Sequence, residues 1–147
     1  MDAQTITVKI RSESGILPEY KTSGASGMDI RAHLEEEITL LPGKRALIST
    51  GLFIELPCGY EAQVRARSGL AMRYGVGLVN GIGTIDSDYR GEIKVALMNF
   101  GEEAVTICNG DRIAQMVVCA LVKVTFQQSD ILSETKRNDG GFGHTGI

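Results

Sequence analysis

Tryptophan is absent from the sequence, and its 147 residues include only three prolines and three cysteines. Cys58, Cys108 and Cys119 are odd in number and far apart, so they form no disulfide framework, and no C-x-x-C spacing indicates zinc. So few prolines exclude the composition of a disordered Pro/Gly-rich chain. The length instead predicts one folded core domain. The lack of a disulfide framework predicts a reduced compartment.

Long apolar runs are missing too. The longest, Ile113 to Val122, is interrupted by Gln115 and is much shorter than the roughly 20 residues that span a bilayer. Residues 1–5 lack the basic region and apolar stretch of a signal peptide. We therefore expect a cytoplasmic protein with no membrane partner.

An excess of basic residues is also lacking, because 15 Lys and Arg stand against 18 Asp and Glu and the net charge is −3. A field of that sign does not attract the nucleic-acid backbone, so we expect no nucleic-acid partner. Any phosphate must be bound by a few placed groups.

Glycine, in contrast, is abundant, with 18 residues in the chain. Several short segments alternate polar and apolar residues, which is typical of strands with one buried face. These segments are Thr5–Ile10, Tyr60–Arg67, Ile93–Leu97 and the pair Ile38–Leu41 and Arg45–Thr50, which flank a turn at Pro42-Gly43-Lys44. Many short strands joined by tight turns predict an all-β fold, either a sandwich, a barrel or a jelly roll.

One short stretch, Leu70 to Tyr74, consists of good helix formers. We predict one or two helical turns, with Ser68 capping the start and Gly75 ending the helix.

The segment from Ile113 to Phe126 is apolar on both faces for most of its length. A strand of this kind has no solvated side, so it lies either against another subunit or in the centre of the core. From residue 129 the chain is polar and glycine-rich. This composition predicts either a frayed tail or a lid that closes over a ligand and stacks the tail's own aromatic residue, Phe142, on it.

Three clusters combine groups that suit phosphate chemistry. Asp29 follows a Ser-Gly turn, and Arg65, Arg67 and Ser68 precede the predicted helix. Guanidiniums beside a helix start form an anion site, although a surface arginine next to a capping serine is the simpler interpretation of that segment alone. The third cluster, Asn80 to Gly91, is either a ligand pocket or a hairpin with solvated aspartates.

Taken in order, five segments resemble the five motifs of the trimeric deoxyuridine triphosphatase (dUTPase) family. The segments are Ala25–Ile30, Arg67–Ala71, Gly83–Glu92, Gly110–Gln115 and Arg137–Gly146. The resemblance implies a distorted jelly roll with one short helix and a flexible glycine-rich tail. It divides the chain into a core, 1–128, and a C-terminal lid, 129–147, and it implies a homotrimer with shared active sites.

The activity implied is Mg²⁺-assisted attack of water on the α-phosphorus of dUTP, giving dUMP and pyrophosphate. Asp86 matches the residue that orients or deprotonates the water, and Asp29 matches the residue linked to Mg²⁺ through water. The substrate-binding residues so implied are Arg67, Ser68, Gly69, Asn80, Gly83, Thr84, Ile85, Asp86, Tyr89, Gln115, Arg137, Phe142, Gly143, His144 and Thr145.

The chain departs from the family pattern at three places. Ala66 replaces a usual proline, Gly81-Ile82 replaces Ser-Pro, and Asn138 replaces a usual glycine. Three alternatives stay open: a dCTP deaminase, which shares the fold and needs a glutamate acting at the base, a dUTPase-like regulatory module, and a structural trimer.

Overall fold

Ten strands and one short helix form the described part of the chain, residues 5–141 of a computed structural model. The strands are β1 (Lys9–Ser12), β2 (Met28–Arg31), β3 (Ile38–Leu40), β4 (Arg45–Glu55), β5 (Tyr60–Ala66), β6 (Val76–Leu78), β7 (Ile82–Ile85), β8 (Ile93–Asn99), β9 (Val105–Ile107) and β10 (Arg112–Ala120). The helix α1 spans Ser68–Tyr74 and follows β5. The all-β prediction with one short helix is confirmed, and within residues 5–141 no helix is long and apolar enough to cross a membrane.

The strands form two four-stranded antiparallel sheets, with the orders β1-β4-β8-β6 and β2-β10-β5-β7, and β3 pairs separately with β9. The predicted alternation holds in β8, where Ile93, Val95 and Leu97 point inward and are at most 1% exposed. Val64 of β5 and Ile113 of β10 belong to the same apolar core. Each such side chain contributes about 1.5–3 kcal/mol when fully buried.

The predicted turn at Pro42-Gly43-Lys44 is present, since the Lys44 amide donates to the Leu41 carbonyl at 2.9 Å. However, β3 before the turn pairs with β9, whereas β4 after it pairs with β1 and β8. The turn therefore joins two sheets. Alternation identifies a strand but does not say which neighbour it pairs with.

The helix ends as predicted but starts differently. Gly75 is its C-cap with φ +66°, and an added Cβ there would lie 2.6 Å from the backbone of Gly101. Ser68 is the first helical residue, so the prediction that it caps the helix is wrong. Arg67 is the N-cap, and within the described chain it makes no side-chain capping hydrogen bond. The reason is that β5 runs to Ala66 and leaves one residue between strand and helix.

Strand β10 lies between β2 and β5 and is paired on both edges. Ile113, Ala114 and Met116 are buried in the core, whereas Val117, Val118 and Cys119 are partly exposed. The strand ends at Ala120, six residues before the predicted end. Beyond it Val122, Val124 and Phe126 are 88%, 70% and 93% exposed, and residues 121–141 contain no helix or strand.

Candidate active site

Asp29 is the centre of a charge cluster at one end of the second sheet. It faces Gln115 in the β2–β10 register, and its side chain is only 8% exposed. The Arg67 Nε lies 3.3 Å from its Oδ1, and the Arg112 Nη1 lies 3.1 Å from its Oδ2. Gln115 Nε2 also donates to Oδ1, at 3.4 Å. We call these four residues the Asp29 cluster.

The cluster keeps its carboxylate ionised. Burial, the largest influence, would raise the pKa of Asp29, but hydrogen bonds from Arg112 and Gln115 and the nearby positive charges outweigh it and lower the pKa. Arg67 also donates to the Arg112 backbone carbonyl at 3.0 Å, which orients the Arg67 guanidinium. A groove of about 750 Å³ opens beside Arg67 and Arg112, next to α1. The lining of the groove also includes Arg73, Glu102, Glu103 and Asp111, so an anion bound there would contact the two partly exposed guanidiniums.

Arg112 is a member of this cluster that the sequence did not predict as a site residue. In a regular strand, residues 112 and 115 point to opposite faces. The register of β10 against β2 shifts between Arg112 and Ala114, however, and this bulge allows Arg112 and Gln115 to reach the same carboxylate. Arg65 was predicted beside Arg67, but it instead donates to Gln63, at 3.1 and 2.6 Å.

A second candidate region is the Asp86 loop, residues 86–92, between β7 and β8. The Tyr89 amide donates to the Asp86 carbonyl at 3.1 Å, and the Tyr89 hydroxyl donates to the Glu92 carbonyl at 3.0 Å. Asp86 and Tyr89 are exposed. They line a cavity of about 310 Å³ together with Leu47, Thr84, Ile85, Glu92 and Lys94.

The turn that leads into β7 is tight, as its glycines predicted. Gly81 has φ +71° and its amide donates to the Leu78 carbonyl at 3.2 Å. Gly83 packs closely on β5, since an added Cβ would lie 3.2 Å from the Val64 Cβ. β6 and β7, on either side of Asn80-Gly81, belong to different sheets, so these two strands do not pair with each other. Asn80 itself is exposed on the turn.

The two regions lie at opposite ends of β5. Ile85, which precedes Asp86, pairs with Ala62 near the start of the strand. Arg67 follows the other end of the strand, where Ala66 pairs with Ala114. Five residues separate positions 62 and 67, which at roughly 3.4 Å per residue is about 17 Å along the strand. Within one chain, the strand register therefore keeps Asp86 apart from the Asp29 cluster.

Only part of the tail lies within the described residues. Arg137 is exposed, and its Nε donates to the Gly140 carbonyl at 2.7 Å, within its own turn. Asn138 has φ +43° and is the one non-glycine residue of 5–141 with positive φ. Asparagine tolerates this region best after glycine, which explains why it can replace the usual glycine. Phe142, Gly143, His144 and Thr145 lie outside the described residues.

Residues 5–141 contain no group of three or more His, Cys, Asp or Glu side chains that could hold a metal. Mg²⁺ does not require one, because it keeps several waters and binds through one or two carboxylates plus substrate phosphates. Asp29 offers an ionised carboxylate with about four acceptor positions, of which its three partners use only part. The donor set fits a contact to Mg²⁺ through water.

Comparison with known proteins identifies the class of this fold and the family of the chain. The dUTPase family model matches residues 13–146. The dUTPase of Staphylococcus bacteriophage 80alpha, solved with dUpNHpp, superposes with a TM-score of 0.88 at 24% identity, covering 97% of this chain and all of that one. The dUTPase of phage phi11 of S. aureus gives 0.78 at 22% identity, covering 88% and 100%. The fold is thus the jelly-roll-like β fold of these proteins.

Relatives named deoxyuridine 5'-triphosphate nucleotidohydrolase match over nearly the whole chain. The protein of Thermoanaerobacter sp. is 59% identical over 131 residues, covering 89% of this chain and 88% of the relative. That of Chlamydia pneumoniae is 57% identical, covering 90% and 92%, and that of Finegoldia magna 53%, covering 93% and 96%. The chain belongs to the dUTPase family.

Proposed function

We propose that this chain hydrolyses dUTP to dUMP and pyrophosphate. The observation that carries the proposal is the division of its polar groups into two partly exposed guanidiniums, Arg67 and Arg112, at the Asp29 cluster and an exposed carboxylate beside an aromatic ring in the Asp86 loop. The first suits a triphosphate, and the second suits water activation next to a nucleoside. Relatives at 53–59% identity are named for this reaction, which supports the assignment.

The phosphate chain binds at the start of α1. Arg67 and Gln115 supply hydrogen-bond donors, and the amides of Ser68 and Gly69 belong to the first turn of a helix, where backbone donors are available to an anion. Positive charge placed where the pyrophosphate leaves stabilises the developing negative charge. Positioning and charge neutralisation provide most of the rate enhancement.

The nucleoside binds at the Asp86 loop and the turn before it. Tyr89 packs under the deoxyribose and leaves no room for a ribose 2′-hydroxyl. The base is bound by the segment that contains Asn80, Gly83, Thr84 and Ile85. Asp86 orients or deprotonates the attacking water, a role that typically contributes about 10²–10⁴-fold.

Mg²⁺ is the proposed cofactor, and Asp29 is the residue that would contact it through water. When bound, the ion neutralises triphosphate charge. A mutant dUTPase of phage phi11 contains a structural Mg(II) ion, which supports use of this metal in the fold. Arg67 and Arg112 keep the Asp29 carboxylate ionised and in place.

The active enzyme is proposed to be a homotrimer with shared sites. Because β5 separates Asp86 from Arg67 by about 17 Å along the strand, we infer that a second copy of the chain supplies one of the two groups to a common substrate. The exposed Val122, Val124 and Phe126 provide apolar surface for such an assembly. The core would comprise residues 1–128 and the lid residues 129–147, which brings Arg137, Phe142, Gly143, His144 and Thr145 to the nucleotide.

In the cell, this reaction would keep uracil out of DNA and supply dUMP for dTMP synthesis. We propose a cytoplasmic location, where free nucleotides are available. The three cysteines are free thiols, which supports a reduced compartment.

The experiment that tests the function is a product assay with Mg²⁺ and dUTP, dTTP, dCTP and UTP, supplied separately. We expect pyrophosphate from dUTP alone. Cleavage of dTTP or dCTP would show that the altered Gly81-Ile82 turn has loosened the base pocket. Binding of dUTP without turnover would instead favour the regulatory module.

Ammonia release from dCTP would favour the deaminase, which needs a glutamate free to act at the base. Glu92 is the nearest candidate in the motif, but its Oε1 accepts from the amides of Thr50 and Gly51 and its Oε2 pairs with Lys94. Because both of its oxygens already have partners within the fold, Glu92 is not free to act at a base, which argues against deamination.

A further inference from the structure

A bulge in β4 directs two backbone amides toward the Asp86 loop. The register of β4 against β8 shifts between Ser49 and Leu52, and Gly51 takes φ +64°. As a result, the amides of Thr50 and Gly51 point to a single atom, the Oε1 of Glu92, at 3.1 and 2.9 Å. Two donors on one acceptor fix the position of that carboxylate on the rigid sheet.

Glu92 connects this bulge to the candidate nucleoside site. Its side chain is 18% exposed, and its Oε2 lies 3.4 Å from the Lys94 Nζ. Burial, the largest influence, would raise the pKa of Glu92, but the hydrogen bonds from Gly51 and Lys94 outweigh it and lower the pKa. The backbone carbonyl of the same residue accepts the Tyr89 hydroxyl at 3.0 Å. The side chain of Glu92 is thus held by the bulge, and the backbone carbonyl of Glu92 in turn holds the Tyr89 hydroxyl.

Gly91 completes this arrangement. A Cβ at position 91 would overlap the hydroxyl and ring carbons of Tyr89. The ring thus occupies the space that the missing side chain leaves, directly beside the carbonyl that accepts its hydroxyl. The position of the ring is determined by Glu92 on one side and by Gly91 on the other.

We propose that Glu92 is a positioning residue that sets sugar selectivity by holding Tyr89 through the β4 bulge. This inference rests on the proposed function, in which Tyr89 packs under the deoxyribose. Without the carboxylate, the loop loses its connection to the bulge, and the ring no longer excludes a 2′-hydroxyl as tightly. Glu92 acts through Tyr89, because its own side-chain oxygens are held by the bulge amides and Lys94.

The test compares Glu92→Ala with Glu92→Gln, using kcat/KM for dUTP and for UTP with Mg²⁺. Because misplacing a positioned group by about 1 Å costs up to roughly 10²-fold, we expect Glu92→Ala to lower the dUTP-to-UTP ratio on the order of tenfold. Glutamine retains an oxygen that can accept both amides, so Glu92→Gln should stay within about twofold of the wild-type ratio. An unchanged ratio in Glu92→Ala, or an equal loss in both variants, would overturn the proposal.

Glu55→Ala is the matched control. It removes another glutamate of a Glu–Lys pair, at the end of β4, where Glu55 lies 3.1 Å from Lys9 on the exposed surface. We expect no change in the ratio. If Glu92→Ala does not fold, Gly91→Ala tests the same contact, because it displaces the Tyr89 ring while keeping Glu92. Full selectivity in a folded Gly91→Ala enzyme would also overturn the proposal.

A second readout does not depend on activity. The chain has four tyrosines, so ¹³C labelling of tyrosine gives few NMR signals, and Tyr89→Phe identifies the one of interest. We expect the Tyr89 ring signal to shift and broaden in Glu92→Ala but to stay in place in Glu55→Ala. If the wild type does not hydrolyse dUTP, the proposed function fails, and this signal still decides whether Glu92 holds the ring.

Discussion

The Asp29 cluster and the Asp86 loop both contain an aspartate of the candidate site, but the fold treats the two aspartates differently. The side chain of Asp29 is 8% exposed and contacts two arginines and a glutamine on neighbouring strands. Asp86 is exposed on a loop whose described hydrogen bonds run mainly through the backbone and Tyr89. The charges proposed to bind phosphate are thus built into the sheet, whereas the carboxylate proposed to activate water is exposed.

This difference follows from what each group must do. A carboxylate that organises cations can be buried because its partners compensate for the lost hydration. A carboxylate that activates water must have water beside it. Substitutions in the Asp29 cluster should therefore mainly lower stability, whereas substitutions in the Asp86 loop should mainly lower turnover.

The largest effect is expected from Asp86→Asn. Loss of the water-activating carboxylate should lower kcat by about 10²–10⁴-fold, because asparagine cannot accept the proton. Binding of a non-hydrolysable dUTP analogue and the melting temperature should stay near the wild-type values, since Asp86 is exposed. Steady-state kinetics, calorimetric titration and a thermal melt measure the three quantities. Near-normal turnover would remove Asp86 from its assigned role.

Asp29→Ala, unlike Asp86→Asn, should lower the free energy of unfolding. The variant leaves Arg67 and Arg112 side by side without their shared anion. The loss should be about 2–3 kcal/mol, below the roughly 3–5 kcal/mol of a fully buried pair, because both arginines are partly exposed. Urea unfolding measures this difference. As a control, Glu55→Ala breaks an exposed pair and should cost less than about 1 kcal/mol. Equal losses in both variants would contradict the account of the cluster.

Arg112→Met should also lower the free energy of unfolding, but by less than Asp29→Ala does. Arg67 and Gln115 would still contact Asp29, and the Arg112 side chain is 46% exposed, so the expected loss of stability is about 1 kcal/mol. Phosphate affinity should also weaken, which titration with pyrophosphate can measure. A variant as unstable as Asp29→Ala would show that Arg112, and not the carboxylate, organises the cluster.

The smallest expected effect is on the pH dependence of the free energy of unfolding, through Glu92. The pKa of Glu92 is lowered from its ordinary value of 4.5. Its contribution to stability is therefore present above that value and is lost as pH falls through the lower, folded-state pKa. Below about pH 4.5, the free energy of unfolding of the wild type should fall more steeply than that of Glu92→Gln. Parallel pH profiles would contradict the assigned contacts of Glu92.

Alternation in the sequence identified β3, β4, β5 and β8, but it placed the first strand at residues 5–10, whereas β1 spans Lys9–Ser12. The motif resemblance identified Asp29, Arg67 and Gln115, which the structure brings together. Arg112 and Glu92 escaped prediction because both depend on bulges, one in β10 and one in β4, that change which side chains and amides meet. Regular alternation cannot show such shifts. The turns at 42–44 and 79–81 were predicted as turns, but their strands enter different sheets, since sheet partners are chosen by long-range packing.

In the proposed homotrimer, one chain supplies the Asp29 cluster and a neighbouring chain supplies the Asp86 loop. This arrangement can be tested by co-expressing Asp86→Asn and Arg67→Ala with two affinity tags and purifying the mixed oligomer. Each variant alone should be nearly inactive. In a purified mixed trimer, in which each site takes the two groups from neighbouring chains, about a third of the sites should combine an intact Arg67 with an intact Asp86 from the other variant. Recovery of dUTP hydrolysis to that extent is the predicted result, and a mixed oligomer as inactive as its parents would contradict the account.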